Sequence, residues 1–187
     1  MTARKHADSD DLEAQFRRHW MAARKDVRSR DFESRFRRHF PRRSNDIAVV
    51  VLKGHLLLEE SVNRLLAGLL RKPEAIEGAN LRFHQKLGLI KALFPVDPDM
   101  MEAAEKLNTI RNRLAHHLDY PQIEAQVRDF LSLCEAPKDP DEPDDPETEA
   151  EPIIRRVRRA LAFLCGGFAG MSRALEVISA EQRRPNW

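Results

Sequence analysis

IAVVVLKGHLLLEESVNRLLAGLL, residues 47–70, decides the fold class. Its first six residues suit a buried strand, yet the apolar positions continue through Leu56, Val62, Leu65, Leu66 and Leu69 without a turn signal. Strands usually stop within about ten residues, so a run of this length predicts a helix buried on several sides.

Downstream the same period recurs. Phe83, Leu87, Ile90 and Phe94 predict a second helix over 81–94. Asp97 followed by Pro98 and Asp99 is a strong helix start: a capping carboxylate, a residue with φ already set, and an acid in the first turn. The third helix runs from there through Ala103, Leu107, Ile110 and Leu114, and Tyr120-Pro121 should break it, because the residue before proline disfavours helical angles. A fourth, 121–134, carries Ile123, Val127, Phe130, Leu131 and Cys134. Pro152 opens a fifth, whose apolar residues Ile154, Val157, Leu161, Leu164, Phe168, Met171, Leu175 and Ile178 alternate spacings of three and four. So regular a seam should pack lengthwise on another helix. Gly166, Gly167 and Gly170 each cost that helix about 1 kcal/mol relative to alanine, a cost that makes sense where another backbone comes close. No strand-turn-strand pattern appears. The prediction is all-α: an up-and-down helical bundle of about five helices.

Upstream, DLEAQFRRHW (11–20) recurs as DFESRFRRHF (31–40). Leu12, Phe16 and Trp20, then Phe32, Phe36 and Phe40, stand four apart and share one side of a helix, with the Arg-Arg-His triplets directed elsewhere. This predicts a pair of short amphipathic helices, or an arm that becomes helical on a partner. Residues 1–44 carry 13 Lys/Arg against 7 Asp/Glu, while 135–151 carry 9 acids against one lysine. The net charge of +2 therefore hides strong segregation, which suggests electrostatic partners, the two segments for one another among them. Proline and acid in 136–151 suit a flexible connection. The chain thus divides into a basic arm (1–44), a helical bundle (45–180) interrupted by the acidic segment, and a tail (181–187).

A chain of 187 residues can bury a core without disulfides or metals as props. Cys134 and Cys165 lie in apolar surroundings and belong to no CxxC pair, so they read as reduced core cysteines, with neither a zinc nor a redox motif. MTARKHADSDDLEAQ has no apolar segment of the kind a secretory signal needs. No run approaches the length needed to span a bilayer. A cytoplasmic protein is expected.

Chemistry concentrates in NTIRNRLAHHLD, residues 108–119. At 100° per residue, with Leu107 at zero, Ala103 lies near about −40°, Leu114 near about −20° and Leu118 near about +20°. Arg111 falls near about +40°, inside the apolar arc, His116 near about 180° and His117 near about −80°. Basic residues at a helix C-terminus favour its dipole, which accounts for the histidines. It does not account for Arg111, which must snorkel out or find a partner; Glu59 or Glu60 is the available carboxylate.

IRNRLAHH resembles the R-N-x-x-x-H signature of the HEPN superfamily, helical bundles of prokaryotic toxins and defence proteins. Arg111, Asn112 and His116 match it, and His117 fits the looser spacing. LLLEESVNRLLAGLLRK, GANLRFHQKLGLIKAL and the late proline-rich segment are further similar to the mannitol operon repressor-like branch, over roughly 47–180. Members of that branch need not keep the arginine and can act without cleaving anything. Here the arginine–histidine pair is complete.

The resemblance implies a metal-independent endoribonuclease, a toxin or defence effector, cutting RNA in a cleft between two protomers, with a cognate antitoxin or regulatory protein as further partner. The alternative it implies is a non-catalytic helical dimer with a regulatory or scaffolding role. The residue types suit cleavage. Histidine can relay a proton between the 2′-hydroxyl and the leaving oxygen. A guanidinium offers a fork of donors to a phosphate gaining charge. Asn112 shares a face with His116 and can orient it, which favours His116 over His117. Arg111 and His116 stand about 140° apart, so they converge only if the helix distorts or if a two-fold axis brings in both chains; a homodimer is expected. Glu60 is a possible support. No metal or cofactor is expected, and no membrane partner. His55 and His84 lie within helices as packed or solvated residues. Arg17, Arg18, Arg37 and Arg38, interleaved with aromatics, suit an RNA phosphate backbone.

Overall fold

A computed structural model describes residues 30–40, 43–74, 78–94, 96–117, 121–134 and 151–182. Among them stand six helices and no strand: α1 Arg30–His39, α2 Ile47–Leu69, α3 Phe83–Leu93, α4 Pro98–His116, α5 Ile123–Cys134 and α6 Ile153–Gln182. The fold is all-α, as the periodicity predicted. The first repeat (11–20), the acidic segment up to residue 150 and the tail from 183 lie outside the described residues.

The residues group into two compact units. In the first, the later turns of α2 bury Val62, Leu65 and Leu66, α3 buries Phe83, Leu87 and Ile90, and the later turns of α6 bury Phe168, Met171 and Ile178. Gly166 and Gly170 are interior as well. α3 starts where the Gln85 side chain accepts the Arg82 N–H at 2.8 Å.

The second unit takes α4, α5, the early turns of α2 and the early turns of α6. α2 begins at a carboxylate cap: Asp46 Oδ1 accepts from the N–H of Ala48 at 2.8 Å and of Val49 at 3.3 Å. α4 starts as its sequence signal requires, with Asp97 Oδ1 accepting from Asp99 N at 3.0 Å and Met100 N at 3.4 Å, and Pro98 in the first turn. α4 packs on α5, and a Lys106–Asp129 ion pair of 3.1 Å accompanies the contact. That pair is largely exposed and contributes little beside the buried Leu107, Ile110, Phe130 and Leu131.

In this unit α2 and α6 come close at Gly54. A Cβ built there would lie 2.5 Å from Leu161 Cδ1, 2.9 Å from Cδ2 and 3.1 Å from Cγ. Leu161 is fully buried, and one turn on, the Cys165 thiol points at the Gly54 carbonyl, Sγ to O 4.0 Å. Burial pushes that thiol well above its ordinary range, so it stays protonated and inert. Both cysteines are free, Cys165 buried and Cys134 half-buried.

Two expectations need correction. Leu56, counted in the apolar run, is 61% exposed; it lies on the side of α2 that also carries Lys53, Glu60, Asn63 and Arg64, three to eight residues away. The other concerns length. Ile153–Ile178 reaches 26 residues and holds an 18-residue stretch of mean hydropathy 1.4, enough by length and composition to cross a membrane. Arg155-Arg156, Arg158-Arg159 and Arg173 hide this length from a search for unbroken apolar runs. Half of the window is buried inside the protein, which is also how a core helix behaves.

Candidate functional site

α4 places the predicted residues along its last two turns. Ala103, Leu107 and Ile110 are buried and Leu114 is half-buried, so the wheel's zero faces the interior. Arg111, just off that line, is half-buried. Its Nη1 donates to Asn112 Oδ1 at 2.9 Å. This partner replaces the expected carboxylate: among the described residues no acid pairs with Arg111, and Glu59 and Glu60, half-buried on α2, interact with other groups. A neutral amide satisfies one of the guanidinium's five N–H donors and leaves its charge uncompensated.

His116 is the last residue of α4 and is exposed. His117 is the C-cap, also exposed, with extended backbone (φ −128, ψ 122) and its N–H donated to the Arg113 carbonyl at 2.9 Å. Its position on an ideal wheel therefore does not apply. The helix ends before Tyr120-Pro121, and 118–120 lie outside the described residues. No distortion brings Arg111 and His116 together, since α4 stays α-helical to His116. What links them is Asn112, which accepts from the guanidinium and stands one turn before His116 on the same face.

Asn108 extends this face by another turn. His55, 1% exposed on α2, donates from Nε2 to Asn108 Oδ1 at 3.1 Å. Asn108, Asn112 and His116 thus form a polar stripe running from a buried histidine to an exposed one. The reading of the sequence passed over Asn108, although its spacing of four from Asn112 was visible. Asn108→Ala takes away the acceptor of a buried donor, and about 1–3 kcal/mol of stability should go with it; a chemical-denaturation curve indistinguishable from the parent's would show that the bond contributes nothing.

Arg37 and Arg38 are exposed on α1, with His39 beside them. The aromatics of the same repeat turn the other way: Phe36 and Phe40 stack with ring centroids 4.4 Å apart, and Phe40 is buried. Arg17 and Arg18 lie outside the described residues. His84 is exposed on α3. Among the described residues no three His, Cys, Asp or Glu side chains gather as metal ligands would.

No protein-family model, curated protein or solved structure matches the chain. What the chain offers is an all-α protein with a charge-uncompensated arginine beside a polar helix face that ends in an accessible histidine.

Proposed function

We propose that the protein is a metal-independent endoribonuclease of the HEPN kind, with Arg111, Asn112 and His116 as its working group and RNA as its substrate. The observation that carries the reading is the half-buried Arg111, which among the described residues has a neutral amide and no carboxylate as partner. A cation desolvated to that degree and left without a counter-charge is set for an anion from outside, and a phosphate fits its fork bidentately. His116 moves the proton. As the 2′-oxygen bonds to phosphorus, a histidine takes its proton, the bond to the 5′-oxygen breaks, and that oxygen is protonated in turn. The products are a 2′,3′-cyclic phosphate and a 5′-hydroxyl. A two-fold dimer would bring two copies of His116 to one cleft, so that base and acid come from different protomers. His117, the next residue, is the alternate. Arg37 and Arg38 hold the strand away from the cut.

Total RNA incubated with the purified chain in a chelator tests this. Cleavage leaving cyclic phosphates is expected, reduced about 10²–10⁴-fold in His116→Ala and about 10²–10³-fold in Arg111→Ala. Intact RNA with the parent protein, or equal cutting by both variants, removes the catalytic assignment and leaves the non-catalytic dimer as the reading.

A further inference from the structure

The second compact unit carries a concentration of arginine of which the reading above uses only Arg37 and Arg38, besides Arg111. Residues 35–44 and 153–159 are far apart in sequence, and both are rich in arginine. One contact joins them: Arg158 Nη2 donates to the Ser44 carbonyl. Ser44 is itself fixed, because its hydroxyl accepts the Asp46 N–H at 3.3 Å and Asp46 caps α2. Arg43 therefore stands next to the clamped residue, beside the first turns of α6, from which Arg155, Arg156 and Arg159 project.

Among the described residues these charges are mostly not neutralised. Arg38, Arg43 and Arg155 are exposed, and among the described residues none of them pairs with a carboxylate. Arg158 is bonded to a carbonyl, its Nε buried without a hydrogen-bond partner, so its charge persists too. Among the described residues few acids stand at hand. Glu151 pairs with Arg159 at 2.8 Å, and Asp46 is bonded to the start of α2.

We propose that Arg38, Arg43 and Arg155 form a surface that tracks the phosphate backbone of an RNA strand. It rests on the reading above only in taking RNA as the partner and is independent of whether the RNA is cut. A lipid surface is the competing anion, and the orientation of α1 argues against it. A membrane-binding helix needs its apolar side free to insert, whereas Phe36 and Phe40 are stacked on each other and Phe40 is buried. The same packing removes these aromatics from base stacking, so recognition here is electrostatic and insensitive to base sequence.

The test uses the full chain carrying His116→Ala, so that the RNA stays whole, and a fluorescent single strand of mixed sequence. Its affinity should fall steeply with salt, with a log–log slope losing about 0.7 for each phosphate contact removed. Arg38→Gln, Arg43→Gln and Arg155→Gln combined should therefore flatten the slope by about 2 and weaken binding at low salt. Arg173→Gln, which removes an exposed arginine of the other unit paired with Glu176 at 2.8 Å, serves as control and should change neither. Thermal melts check that all variants fold.

The surface is refuted if the triple variant keeps the parental slope, if Arg173→Gln weakens binding as much, or if the protein prefers phosphatidylglycerol vesicles and ignores RNA. The two readings fail separately. Cleavage by the parent with unaltered binding in the triple variant sinks the surface alone, while arginine-dependent binding without cleavage sinks the nuclease alone.

Discussion

Gly54→Val lowers the stability of the fold by about 3 kcal/mol, the upper part of the range for overpacking a closed core. The added Cβ would sit 2.5 Å from Leu161 Cδ1 and 3.1 Å from Cγ. Swinging a terminal methyl aside does not clear the second contact, so the whole isobutyl group, fully buried, must move. Helix propensity acts the other way, favouring most residues over glycine by less than about 1 kcal/mol, and does not offset the clash. Gly54→Ala feels the same collision with less bulk behind it. Leu161→Ala alone leaves a cavity and costs about 2–5 kcal/mol. Gly54→Ala with Leu161→Ala should cost clearly less than the two singles added together, because the second change removes what the first one hits. Urea midpoints of the four proteins measure this. Strict additivity, or a valine variant as stable as the parent, would mean that the two side chains do not meet.

Ile110→Ala should cost about 2–5 kcal/mol, while His116→Ala stays within about 0.5 kcal/mol of the parent. The two residues share α4 and lie six positions apart, but Ile110 is fully buried and His116 is exposed at the last turn. The contrast bears on the nuclease reading. Loss of cleavage in His116→Ala counts as chemistry only if that variant melts with the parent, and Ile110→Ala shows how large a purely structural loss is at the same end of the helix. Equal melting of all three proteins would contradict the burial of Ile110.

Much of the fold was legible because each helix advertises itself locally. The alternating seam from Ile154 to Ile178 and the Asp97-Pro98 start needed no knowledge of the partners. Gly54 was not legible. In a sequence, a lone glycine inside a helix registers as a local cost, and its reason here, Leu161, is more than a hundred residues away. The three glycines of α6 drew attention instead, because they cluster. Leu56 was misread for a different cause: it is an apolar residue on the polar side of α2, among Lys53, Glu60, Asn63 and Arg64, where counting apolar positions alone does not separate it from the core. At the candidate site the wheel located Arg111 and His116 correctly as backbone positions. It could not foresee that a long side chain would bend towards Asn112, since a wheel records where side chains leave the axis and not where they end. Glu59 and Glu60 were plausible partners by charge, but sequence contains no distance between helices.

Both compact units draw on α2 and on α6, so neither is a continuous stretch of chain. A ribosome emits residues in order. The apolar faces of α2 are therefore made roughly 80 residues before α6 begins, a wait of several seconds at about 5–20 residues per second. Helices α3, α4 and α5 emerge in that interval and cover part of α2, but the side that meets α6 waits. Neither half can close before the last helix is made.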